Sequence, residues 1–82
     1  MNKEIFLKIL AKRIVVIRKS KKISQAQLAS FIDCDPVTIW RIENAHITPS
    51  SYLLYEIIRA LDITPNEFFE NFDSEKEILW WR

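Results

Sequence analysis

Little in this chain could make or break a covalent bond. Its single histidine, His46, and single cysteine, Cys34, stand in separate segments, and no paired-carboxylate, Cys–His or Ser–His constellation accompanies them. His46 has no cysteine at metal-ligand spacing, so neither a structural zinc site nor any other metal or cofactor is expected. A lone cysteine cannot form an internal disulfide, which fits a reducing cytoplasm. Glycine is absent altogether, where a chain of this length would usually carry about six. Phosphate-cradling loops of the GxGxxG and GxxxxGK[ST] types are thereby excluded. An enzyme is not expected.

The chemistry that remains is that of charge and shape. Residues 1–22 hold eight Lys and Arg against Glu4 alone, a net +7; residues 23–59 carry −2 and residues 60–82 carry −4. A basic front and an acidic end suggest two surfaces, one suited to a polyanion, or else a merely solvated helix face. No apolar run approaches the roughly 18 residues of a membrane span, and Lys8, Lys12 and Arg13 interrupt any secretory signal. With 82 residues the core is small, so a partner or a second copy is a natural supplement to stability.

The elements that position these groups are helices, each opened by a start signal. Asn2 can cap a first helix with Phe6, Leu10, Ile14 and Ile17 on its inner stripe. Ser24-Gln25-Ala26-Gln27 is a capping box that opens a second helix running to about Ile32. Asp35-Pro36 opens a third, with an acceptor at the N-cap and proline at the first helical position. Ser50 caps a fourth, with Leu54, Ile57, Ile58 and Leu61 inward, and Thr64-Pro65-Asn66-Glu67 opens a fifth through the Phe68, Phe69 and Phe72 segment. Ser74-Glu75-Lys76-Glu77 repeats the pattern before Ile78-Leu79-Trp80-Trp81, leaving room for a sixth. No stretch alternates like a strand. The expected fold is an all-α bundle of five helices, or six.

Only Asp33 and Cys34 separate the second and third helices, and Ala29 is small enough to let the two cross closely at a steep angle. On a helical wheel Pro36, Val37, Trp40, Arg41 and Asn44 fall within about 140°, while Ile39 and Ile42 point the opposite way. Cys34, at an apolar turn position, reads as core rather than as a redox switch. The aromatic segment is open to two readings at this point: Phe68, Phe69 and Phe72, with Phe68 and Phe72 sharing a helical face, either close the monomer's core or leave a surface for assembly.

The run from Ile17-Arg18 through Ser24-Gln25, Leu28-Ala29, Ile39 and Ile42-Glu43-Asn44 to Ala60-Leu61 resembles the Cro/repressor-like (XRE-type) helix-turn-helix family, over about 60 of the 82 residues. Among its members the chain is similar to small stand-alone regulators such as restriction–modification controller proteins. The resemblance implies a compact lambda-repressor-like DNA-binding domain over residues 1–73, with 74–82 a C-terminal aromatic extension. It also implies that helix three lies in the major groove of double-stranded DNA while helix two crosses the backbone. Pro36, Val37 and Arg41 match positions that reach base edges, and Arg41 is the strongest candidate because its fork suits guanine O6 and N7. Val37 can offer an apolar contact to a thymine methyl. Trp40 is either a sugar or thymine contact or a lid on the adjacent core. Gln25 and Asn44 match phosphate-facing positions; Thr38 is a phosphate or core-edge residue; Lys22, beside Lys19 and Lys21, is a phosphate flank, as is His46 unless it is an ordinary loop histidine.

Arg18 and Glu43 match a pair that forms an internal salt bridge in relatives, which removes Arg18 from the DNA contacts. The family's two-fold contact is carried over to Phe68, Phe69 and Phe72, with Trp80 and Trp81 extending it. The implied function is a cytoplasmic, homodimeric, sequence-specific transcriptional regulator of a short palindromic operator, with no membrane role. The alternative is a protein-interaction module or antitoxin-type partner of a toxin or other regulator, favoured by near-neutral net charge and by Asp33 and Asp35. Many relatives have glycine where this chain has Lys22, Asp33 and Ala45. Asp33 is therefore expected in left-handed backbone space, and at least one of the turns at Lys22 and Ala45 is expected to be reshaped.

Overall fold

A computed structural model describes residues 1–72. Five helices follow one another: α1 (Lys3–Ser20), α2 (Gln25–Phe31), α3 (Pro36–Glu43), α4 (Ser51–Ala60) and α5 (Pro65–Phe69), with no strand among the described residues. The extension 74–82, with its candidate sixth helix, Trp80 and Trp81, lies outside them.

All five helices begin at the residues whose side chains can accept a first-turn amide. Asn2, Ser24, Asp35, Ser50 and Thr64 are the N-caps, accepting from Ile5, Gln27, Val37, Leu53 and Glu67 respectively. Both expected capping boxes close, with Gln27 and Glu67 reaching back to the cap amides. Each cap satisfies a donor that the helix itself leaves orphaned.

The helix ends depart from the sequence reading. Lys22, Asp33 and Ala45 all lie in left-handed space, at φ 58°, 53° and 58°. No turn is reshaped to avoid the missing glycines, which corrects the expectation for Lys22 and Ala45. The reason is the hydrogen bonding. After α1 the Lys22 amide donates to Lys19 O and the Ile23 amide to Arg18 O; after α3 the Ala45 amide donates to Ile42 O and the His46 amide to Arg41 O. These are Schellman closures, which need the residue after the C-cap in left-handed space. After α2 the Cys34 amide reaches Ala29 O, and after α4 the same closure forms around Asp62, φ 58°. Four successive helices end this way without one glycine.

The core gathers Leu10 and Ile14 from α1, Leu28 and Ala29 from α2, Ile39 and Ile42 from α3, Ile57, Ile58 and Leu61 from the α4 segment, and Phe68 from α5. Cys34 is half-buried against it, in line with its apolar turn position. The fifth helix is shorter than its sequence suggests. It stops at Phe69, and Asn71, at φ 54°, turns the chain so that Phe72 folds back. Phe72 therefore does not share a helical face with Phe68. Its ring meets Phe6 of α1 at 5.4 Å and Phe69 at 5.1 Å. Arg13 clasps this end of the molecule, donating to Phe68 O at 2.6 Å with its guanidinium 5.2 Å from the Phe72 ring centre.

Two charges are buried where α1, α2 and α3 meet. Arg18 donates twice to Glu43, Nε to Oε2 at 2.7 Å and Nη2 to Oε1 at 3.0 Å, and its Nη1 reaches Ile23 O at 2.8 Å. Gln25 Nε2 adds a third bond to Glu43, at 2.9 Å to Oε1. The forked geometry and the extra partners offset part of the desolvation of both ions.

Two stability predictions follow from these features. Lys22→Gly and Ala45→Gly should each raise stability by about 1 kcal/mol, because left-handed backbone costs a residue with a Cβ about that much. In a thermal melt this is a rise of about 4–8 °C, and a fall in Tm for both would contradict the turn assignment. Glu43→Ala should cost about 3–5 kcal/mol in urea denaturation, since it leaves the Arg18 charge buried and alone. The double replacement Arg18→Met/Glu43→Leu should cost clearly less than the single one.

Candidate nucleic-acid interface

The outward face of α3 is what the fold leaves open. Ile39 and Ile42 are buried, while Pro36, Val37, Trp40, Arg41 and Asn44 all face solvent. Val37 is 52% exposed and Trp40 46%, high values for apolar side chains on a well-packed helix. Asp35 is held at the N-cap by its bond to the Val37 amide, so one of the two carboxylates at this end is engaged in starting the helix. Arg41 is exposed, and no carboxylate or carbonyl among the described residues engages its guanidinium. Its five donors face outward from the last turn of α3.

Trp40 is partly covered, and its indole leans edge-on against His46, ring centres 5.2 Å apart and planes at 89°. His46 is thus brought directly beside the α3 face by the closure that ends the helix. Thr38 is half-buried at the edge of that face.

The other sequence candidates are partly occupied within the fold. Gln25 sits at the start of α2, but its carboxamide nitrogen is held by Glu43. Asn44 donates its side-chain amide to Trp40 O at 2.8 Å and so helps to end α3. Each amide keeps a second N–H and its oxygen for an outside partner. Lys22 is exposed in the turn before α2. Lys21, grouped with it in the sequence, instead donates to Asp62 O at 3.3 Å, across the end of α4. A shallow cleft beside Asn44 is lined by Lys3, Leu7 and Lys8 of α1, with Glu4 paired to Lys8 at 3.4 Å.

The aromatic candidates separate. Phe68 is fully buried in the monomer, so its ring has no surface to offer a second copy; this corrects its assignment to an interface. Phe72 is half-buried against Phe6, and Phe69 is 38% exposed. Sequence reasoning missed Arg13, whose clasp on the folded-back Phe72 has no signal in helical spacing, and the Gln25–Glu43 bond, which joins residues 18 positions apart. Among the described residues no cluster of His, Cys, Asp and Glu could hold a metal ion, and no helix is long and apolar enough to cross a membrane.

Comparison with known proteins agrees with this geometry. A family model described as helix-turn-helix matches residues 16–68. The structure of the restriction–modification controller protein C.Esp1396I, as a tetramer in complex with its natural 35 base-pair operator, is similar at a TM-score of 0.79 with 30% identity, covering 90% of this chain and 95% of that one. A tyrosine-to-phenylalanine mutant of the same controller protein is similar at a TM-score of 0.81 with 28% identity, covering 94% of this chain and 95% of that one. A search of curated proteins by sequence finds no match. With the match spanning most of the chain and the buried Arg18–Glu43 pair in place, this protein belongs to the Cro/repressor-like (XRE-type) helix-turn-helix family.

Proposed function

We propose that the protein is a DNA-binding transcriptional regulator, a homodimer that recognises a short palindromic operator. The observation that carries this reading is the outer face of α3: Val37, Trp40 and an exposed Arg41 share one side of a helix whose back is locked to α1 and α2. A recognition helix needs that combination of a rigid rear and free side chains in front. The operator-bound state of the similar controller protein adds support.

In this reading Arg41 reads a guanine edge, while Val37, Pro36 and Trp40 supply apolar contacts to thymine methyls and sugars. Gln25, Thr38, Asn44, Lys22 and His46 line the flanking phosphates, which fix register without specifying sequence. Phe69 provides exposed ring surface for the two-fold contact, with Phe72 behind it, and the two-fold would set the recognition helices about 34 Å apart. The protein acts by binding, with no catalytic step.

Gel-shift titration against DNA upstream of its own gene tests the reading. Arg41→Ala should lose about 1–3 kcal/mol of discrimination at one base pair in each half-site while the helical circular dichroism is unchanged. Lys22→Ala should weaken binding to all sequences alike and flatten the salt dependence by about 0.9 log units per dimer-related contact. Equal affinity and specificity in Arg41→Ala would remove it from the readout. Absence of any binding at low salt would sink the DNA reading and leave the protein-interaction alternative.

A further inference from the structure

The outer face of α4 is a second exposed surface, and none of the residues assigned above to DNA lies on it. Tyr52 is 73% and Tyr55 49% exposed there, and Glu56 and Arg59 share the same face. Phe31, 59% exposed at the end of α2, lines a groove with Ile32, Glu56, Arg59 and Ala60, so its ring continues the surface. Three exposed aromatic rings, two on α4 and one lining a groove with its Glu56 and Arg59, are unusual on the outside of so small a domain. They are also held in place: Tyr52 donates its hydroxyl to Glu56 at 3.0 Å, and the Arg59 guanidinium lies 5.8 Å from the Tyr55 ring centre. Tyrosine and arginine are the side chains that most often carry the binding energy of an interface.

The charge order on this face indicates what covers it. Glu56 and Arg59 are of opposite sign and lie one turn apart on a single helix face. If a second α4 ran antiparallel to the first, across a two-fold axis level with Ile57 and Ile58, Glu56 would meet Arg59 of the second copy, and Arg59 would meet its Glu56. Tyr55 would then lie opposite the small Ala60. A surface that complements itself in this way is what a two-fold contact requires. We propose that the outer face of α4 is a self-association surface that docks on the same face of a second copy of this chain. It is separate from the contact assigned to Phe69 and independent of DNA. A dimer built through one surface can therefore be joined to another through the second.

Sedimentation velocity of the full chain without DNA, at low salt and over a wide concentration range, tests this. Four proteins are compared: wild type, Arg59→Glu, the charge swap Glu56→Arg/Arg59→Glu, and Phe69→Ser. Circular dichroism checks that each is folded. The wild type should show an association step that Arg59→Glu weakens at least about tenfold, because two like-charge pairs now face each other. The charge swap should restore it, and Phe69→Ser should leave it in place. The proposal is overturned if the wild type shows no step sensitive to Arg59→Glu, or if the charge swap is no better than the single variant. Loss of all association in Phe69→Ser alone would leave only the contact at α5. Loss in Arg59→Glu alone would remove the α5 contact and keep that at α4.

Discussion

Three helices converge on one carboxylate. Glu43, near the end of α3, accepts from Arg18 of α1 and from Gln25 of α2, and almost none of it is open to water. An ion pair so buried contributes little net stability once desolvation is counted, and apolar replacements often do as well. What it supplies is geometry. Apolar packing is non-directional and tolerates a helix rotated by a few degrees, whereas a forked guanidinium–carboxylate pair with a third donor fits in one arrangement only. The angle between α2 and α3, and hence the direction in which Val37, Trp40 and Arg41 face, depends on that arrangement.

The same economy appears at the helix ends. Each of the first four helices closes with its chain in left-handed space, and none has the residue that enters it without strain. The alternative is to leave carbonyls at the end of a helix unpaired near the core, which is the more costly outcome. The backbone strain is therefore tolerated: at Lys22 before the helix-turn-helix unit, at Asp33 within its turn, at Ala45 after it, and at Asp62 after α4. A tight closure after α3 is also what carries His46 round to lie against Trp40.

Charge and aromatic surface are divided among the faces of the molecule. The basic excess of residues 1–22 is not one continuous patch: Arg18 is buried, Arg13 is bound to the α5 end, and Lys21 is held on α4. Net charge near zero thus coexists with exposed cations at Lys22 and Arg41. The described aromatic residues divide likewise into a buried ring at Phe68, half-buried rings at Phe6 and Phe72, and exposed rings on α4 and at Phe31, Trp40 and Phe69.

By itself the sequence determined where every described helix begins, because capping is local: an acceptor side chain and an amide two or three residues away suffice. It also determined which side of α3 is inward, because helical periodicity separates Ile39 and Ile42 from Val37, Trp40 and Arg41. The Arg18–Glu43 pair was legible through family resemblance, since its partners are far apart in the chain. Tertiary structure decided the rest. Whether Lys22 and Ala45 would accept left-handed angles depended on the hydrogen bonds that close α1 and α3, and where Phe72 lies depended on Asn71 and on α1. That Trp40 rests on His46, that Gln25 and Asn44 have part of their bonding taken up inside the fold, and that Phe68 is wholly buried are outcomes of contacts between distant segments. Local pattern can state what a side chain is able to do; only the assembled neighbours settle which of its donors, acceptors and surfaces remain free.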